Sequence, residues 1–184
     1  MSQNFEDIAS QVNRTKSVGQ PPLDQWHPDL SGDMDLRVSR DGQWIFKGEP
    51  LAREAIVRLF STILRLEDDG EFYLVTPVEK WRIQVEDAPL LAHSLAVEAD
   101  GTEQVIKLTT NVGEVLEVGD DHPLEVGSYS GTDEPRPIIH VRHGVTARLV
   151  TAAFYELAEH VVEREGQAGP ELGVFSNGNF YKIG

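Results

Sequence analysis

Two arginines, Arg53 and Arg148, each follow an alanine, and each stands where a helix is expected to begin. A helix N-terminus carries free N–H groups and partial positive charge. A cation there costs from a few tenths to about 1 kcal/mol unless an anion offsets it. A phosphate held by the helix N-terminus and an arginine fork would supply that offset. An ordinary ion pair with Glu49, Glu54 or another carboxylate would do so equally. A second set is Thr76, Glu79, Lys80 and Arg82. Lys80 and Arg82 are two apart on an alternating segment, so they share a strand face about 7 Å apart. They could clamp a phosphate or carboxylate, or form a solvated face balanced by Glu86 or a cross-strand acid. Third, Arg142 and His143 precede the second expected helix as Lys47 and Gly48 precede the first. Basic residues at equivalent strand ends would serve one pocket near both helix starts, or are simply exposed charges at strand ends.

Other chemistry finds less footing. The six histidines are scattered, and His140 and His143 lie three apart on an expected strand, hence on opposite faces. No zinc helix pair or calcium loop is present, and the Asp29, Asp33, Asp35, Asp41 group reads as a solvated acidic arm. No nucleophile elbow, phosphate-cradling loop or dinucleotide fingerprint occurs. No catalytic residue, metal site or cofactor is therefore assigned, although catalytic groups can converge from distant positions.

The elements that must position these residues come as a repeat. The early copy runs Trp44-Ile45-Phe46-Lys47, Gly48-Glu49-Pro50, an amphipathic stretch, then Asp69-Gly70-Glu71-Phe72-Tyr73-Leu74-Val75. The late copy runs Ile139-His140-Val141-Arg142, His143-Gly144-Val145, a second amphipathic stretch, then Asn177-Gly178-Asn179-Phe180-Tyr181-Lys182-Ile183. Each reads as strand, turn, helix, turn, strand. The first helix is expected to start at Gly48-Glu49-Pro50, with Ile56, Leu59, Phe60, Ile63 and Leu64 inward. The second is expected over Thr146 to about Glu165, ending at Gly166–Pro170.

Around these units, Phe5–Val12 reads as a short helix in a mobile lead that Pro21-Pro22 ends. Leu36–Arg40 and Gln43–Lys47 are strands joined at Asp41-Gly42. Lys80–Glu86 alternates, with Trp81, Ile83 and Val85 on one face. Leu91–Val97, Glu103–Thr109 and Val115–Val118 extend an antiparallel sheet, and Thr132–Pro137 is the expected junction. The division that follows is a lead over 1–20, a first lobe over 21–90 and a second over 91–184. The second lobe combines sheet 91–135 with repeat unit 136–184.

The 184 residues carry a net charge of −15, so binding a nucleic acid polymer or an anionic membrane through a broad basic surface is excluded. Between Val97 and Pro135 ten acids face one base, Lys107. That stretch holds −9 and leaves −6 elsewhere, so a local positive pocket outside it is affordable. Cysteine is absent, which removes disulfides and thiolate chemistry. No apolar run is long enough to span a bilayer, and the polar start lacks a secretory core, so a cytoplasmic location is expected.

Asp41-Gly42-Gln43-Trp44, Val57-Arg58-Leu59-Phe60, Leu74-Val75-Thr76-Pro77-Val78-Glu79-Lys80, Val85-Glu86-Asp87-Ala88-Pro89, Val141-Arg142-His143-Gly144 and Phe154-Tyr155-Glu156-Leu157 together resemble a bacterial family. It is the uncharacterised family catalogued as domain of unknown function 1285, and the resemblance runs from about Pro22 onward. It implies a duplicated α+β core, a second half superficially like a pleckstrin-homology fold, a cleft between the halves for a nucleotide-like ligand, and a signalling role.

The combined expectation is an α+β fold of duplicated strand–helix–strand lobes with antiparallel sheets. Its function would be regulatory, binding a small anionic, nucleotide-like ligand in the cleft between lobes through Arg53, Thr76, Glu79, Lys80, Arg82, Arg142, His143 and Arg148. Two alternatives stay open: a protein-interaction adaptor using a pleckstrin-like sheet face, which would give it a protein partner, and an enzyme acting on a phosphorylated metabolite.

Overall fold

The computed structural model describes residues 5–15 and 19–184. Among them are fifteen strands and three α-helices. The chain divides into two compact units: one reaches to Pro89 and includes His143–Val145, the other comprises Leu90–Arg142 and Thr146–Gly184. Each is built on a six-stranded mixed sheet. The architecture is mostly β, with shorter helices than the α+β expectation required.

In the first unit the sheet comprises β1 (Gly32–Val38), β2 (Trp44–Phe46), β3 (Glu49–Pro50), β4 (Leu64–Leu66), β5 (Phe72–Val75) and β6 (Lys80–Val85). Their order is β3-β2-β1-β6-β5-β4, parallel only between β1 and β6. The expected hairpin at Asp41-Gly42 forms between β1 and β2, closed by Ser39 N–H on the Gln43 carbonyl at 2.9 Å. Alternation along β6 buries Trp81 and Ile83 and leaves Lys80 and Arg82 half-buried on the other face. Phe60, Ile63, Leu64, Leu74 and Ile83 are almost wholly buried in the core.

The expected lead over 1–20 falls partly on residues 1–4 and 16–18, outside the described residues. Within it α1 (Phe5–Thr15) forms and buries Ile8 and Val12, while the Phe5 ring meets those of Phe46 and Phe60 at 4.4 and 5.2 Å. The 3-10 turn Leu23–Gln25 follows the proline pair.

The first repeat helix, α2 (Glu54–Thr62), starts later and ends earlier than its pattern suggested. Lys47 and Gly48 both take positive φ, 50° and 80°, making a two-residue turn between β2 and β3. Pro50 therefore sits in an edge strand, where its missing N–H costs nothing. At the other end Leu64-Arg65-Leu66 alternates and pairs with β5, so the residues read as the helix tail are strand.

The second unit orders its sheet β10-β11-β12-β7-β8-β9, with β7 (Leu90–Glu98), β8 (Val105–Thr110), β9 (Val115–Glu117), β10 (Leu124–Ser128), β11 (Pro135–Arg142) and β12 (Val145–Leu149). A three-stranded antiparallel sheet of β13 (Val162–Gly166), β14 (Gly169–Ser176) and β15 (Asn179–Lys182) accompanies it. The expected junction at 132–137 is in part strand, since β11 begins at Pro135.

The long second helix is corrected here. Residues 145–149 alternate buried and half-buried and pair in parallel with β7, so they form a strand. Only Thr151–Ala158 is helical (α3), and Val162–Gly166 returns to strand. Two β-branched valines, Val161 and Val162, followed by alternating Glu163, Arg164 and Glu165, favour extension over helix once β14 offers a partner.

Candidate functional site

The polar face of β4, β5 and β6 lines Arg65, Tyr73 and Arg82 in one cross-strand row. At the Arg65 end of this row lies a concavity of about 630 Å³ belonging to the first unit, lined by Asp24, His27, Arg65, Leu66, Glu67, Asp68, Asp69, Lys80 and His143. Its size is within the range usual for small-molecule sites.

Three of its charges are sheltered. The side chains of Arg65, Glu67 and Lys80 are 13%, 21% and 21% exposed. Arg65 donates to the Leu23 carbonyl at 2.7 Å and the Trp26 carbonyl at 2.9 Å, which fastens the 3-10 turn and so places Asp24 and His27 beside the concavity. The Glu67 carboxylate takes a hydrogen bond from Lys80 at 2.8 Å and pairs with Arg65 at 3.5 Å. Two cations thus share one carboxylate. Lys80 also sits over the Tyr73 ring, 4.7 Å from its centroid.

The remaining lining residues are exposed. Asp69 accepts from the Tyr73 hydroxyl and, at 2.9 Å, from the Glu71 N–H. Those bonds, the Tyr73 one foremost, hold the Asp69 carboxyl below the ordinary carboxylate range, and the shared bond to Asp69 pushes the Tyr73 phenol up. His143 begins the turn between β11 and β12. Its carbonyl accepts the Leu66 N–H at 3.0 Å.

Of the residues expected to form the site, the structure brings Lys80 and His143 to this concavity. Thr76 and Glu79 meet each other in the β5–β6 turn instead. The Thr76 hydroxyl, fully buried, accepts the Glu79 N–H at 3.0 Å and the Val78 N–H at 3.3 Å and donates to Gln11 Oε1 at 2.6 Å, and Gln11 donates to Glu79 at 2.8 Å. These two residues organise the turn and tie α1 to it. Arg82 pairs across strands with Asp33, which raises its guanidinium pKa further and lowers that of Asp33. Arg142 donates to both oxygens of Glu114, at 2.7 and 2.8 Å, in the second unit.

Arg53 is the exposed N-cap of α2, and its side chain makes no capping bond. Arg148 lies within β12, three residues before α3 begins, so it is not in the first turn of a helix. The idea of two matched helix-start arginines is thereby corrected. So is the alignment behind it: the turn equivalent to Lys47-Gly48 is His143-Gly144, with φ of 48° and 76°, one residue later than the sequence match of Lys47 to Arg142. Asn177-Gly178 makes a third turn of the same kind.

Sequence reading missed Arg65 and Glu67. The signal was the alternation Leu64-Arg65-Leu66-Glu67, which period-2 reading assigns to a strand with both charges on one face.

The chain matches the model for domain of unknown function (DUF1285), N-terminal domain, over residues 21–88, and that for the DUF1285 C-terminal domain over residues 89–183. It therefore belongs to the DUF1285 family. It is similar to the crystal structure of a DUF1285 family protein from Silicibacter pomeroyi DSS-3, with 39% identity, a TM-score of 0.84, and coverage of 96% of this chain and 93% of that one. It is also similar to a DUF1285 family protein from Shewanella baltica OS155, with 26% identity, a TM-score of 0.54, and coverage of 68% of this chain and 91% of that one. No curated protein matches the chain. Among the described residues no helix is long and apolar enough to cross a membrane.

Proposed function

We propose that the protein is a cytoplasmic regulatory module that binds a small anionic ligand in the Lys80 concavity of its first unit. The observation that carries this reading is the sharing of Glu67 by Arg65 and Lys80. The sheltered part of the concavity keeps one formal positive charge, in a chain whose net charge is −15. An ammonium has three donors, and Glu67 occupies Lys80 with one good hydrogen bond and a long second one at 3.4 Å. An anionic group can therefore join Lys80 without displacing its partner.

The test is a calorimetric titration of the full chain with nucleoside monophosphates and simple phosphates and carboxylates, repeated on Lys80→Ala. Binding that weakens at least about tenfold in the variant supports the reading. Equal affinity in both proteins, or no binding of any of these anions, sinks it.

A second reading, an enzyme acting on a phosphorylated metabolite, is favoured by two imidazoles, His27 and His143, in the same concavity. It requires turnover of the bound compound, which the same titrations reveal as a continuing heat. The adaptor reading has less support. Val162 and Leu172 are exposed, but Leu172 pairs with Glu163, the neighbour of Val162, so alternation puts the two on opposite faces of their ladder and they form no joint patch.

A further inference from the structure

The concavity separates its charges by depth. The sheltered trio of Arg65, Glu67 and Lys80 carries one net positive charge, whereas Asp24, Asp68 and Asp69 stand exposed around it. Asp69 is already committed to the Tyr73 hydroxyl and the Glu71 N–H. Asp24 and Asp68 are the carboxylates that remain for a ligand. A polyphosphate chain would bring several negative charges past three acids to reach one cation, an arrangement that like-charge repulsion disfavours. A molecule with charge of both signs meets no such conflict.

We propose that the ligand is dipolar: one phosphate or carboxylate head seated at Lys80, and a protonated amine turned outward to Asp24 and Asp68. This rests on the reading of the Lys80 concavity as the ligand site, and it narrows that ligand to the phosphorylated-amine or amino-acid class. Leu66, the one apolar lining residue, lies between charged neighbours in sequence and gives the short carbon spacer a surface to cover. The arrangement also assigns different work to the two ends. The sheltered head contact supplies most of the affinity, while the exposed amine contacts discriminate among anions and are sensitive to salt.

The test uses matched probes on the full chain: O-phosphoethanolamine against ethyl phosphate, and γ-aminobutyrate against butyrate. The amine-bearing member of a pair should bind about tenfold more tightly at low ionic strength, and the gap should shrink as salt is added. The double variant Asp24→Asn, Asp68→Asn should bind both members equally, and the amine-free member more tightly than the unaltered protein does, since two repelling carboxylates are gone. Both positions are exposed, so the fold tolerates the change. Equal affinity within each pair in the unaltered protein would overturn the dipolar inference while leaving an anion site at Lys80 standing. If none of the four probes binds in a Lys80-dependent way, the site and the inference fall together.

Discussion

Lys80 donates to Glu67 at 2.8 Å, and the two residues are brought together from β6 and the end of β4 although thirteen positions separate them in the chain. Their pairing leaves Arg65 with only a share of the same carboxylate, at 3.5 Å. Glu67→Gln removes the negative charge and keeps the shape. Small phosphates should then bind several-fold more tightly, since both cations lose their internal competitor. A Kd for inorganic phosphate that stays the same or rises in Glu67→Gln would contradict this.

The Thr76 hydroxyl is a fully buried hub that serves two backbone N–H groups and one amide oxygen. Thr76→Val keeps the volume and strands those groups, so the chain should lose about 1–3 kcal/mol of stability. Thr76→Ser retains the hydroxyl and should recover most of the loss. Urea denaturation of the three proteins decides between this role and a ligand contact, which would leave the transition midpoint unmoved.

Gly144 serves both a backbone turn and a close approach. Its φ is +76°, and a Cβ there would fall 2.6 Å from the Leu66 Cβ. Gly48, with φ +80°, has open space around the same position. Gly48→Ala should cost only the left-handed backbone term, about 1–2 kcal/mol. Gly144→Ala should cost about 1–3 kcal/mol more, because Leu66 must shift. Indistinguishable melting temperatures for the two variants would show that Leu66 gives way freely.

In the second unit Ser176 accepts the Ile106 N–H at 2.9 Å and donates to the Val118 carbonyl at 2.6 Å, with no exposure of its own. Ser176→Ala leaves a buried donor and a buried acceptor without that partner and should destabilise by about 1–3 kcal/mol. Amide exchange at Ile106 should accelerate in parallel. Unchanged protection there would argue that another group replaces the hydroxyl.

Asp33 is held below its ordinary range by Arg82, Asp69 by the Tyr73 hydroxyl, and Glu86 by the Arg40 N–H. A depressed folded-state pKa stabilises above the unfolded value, and that contribution is lost as pH falls through the depressed one. The melting temperature should therefore decline below about pH 4. Tyr73 is shifted upward, so its contribution is complete below its ordinary pKa and disappears as pH rises through the raised value. Tyr73→Phe removes the tyrosine contribution and the bond that depresses Asp69. Its melting temperature should vary less with pH on both the acid and the alkaline limb. Curves that run parallel to the parent across the whole range would refute the linkage.

What the sequence determined by itself was local. Alternation set β6, with Trp81 and Ile83 inward and Lys80 and Arg82 outward, the turn at Asp68-Asp69-Gly70 led into β5, and Asp41-Gly42 marked the first hairpin. Apolar spacing found the helix around Ile56 and Phe60. These features depend on residues within a turn or two of one another. Tertiary structure decided where a segment compatible with either state became strand. Residues 145–149 extend because β7 offers its edge, Leu64–Leu66 because β5 does, and Val162–Gly166 because β14 does. It also decided the site. Glu67 acquires meaning only when strand pairing carries Lys80 to its side and Arg65 fastens the Leu23–Gln25 turn across the sheet. Helical and extended periodicities in short apolar segments differ by little energy, and a partner strand's hydrogen bonds, remote in sequence, settle the choice.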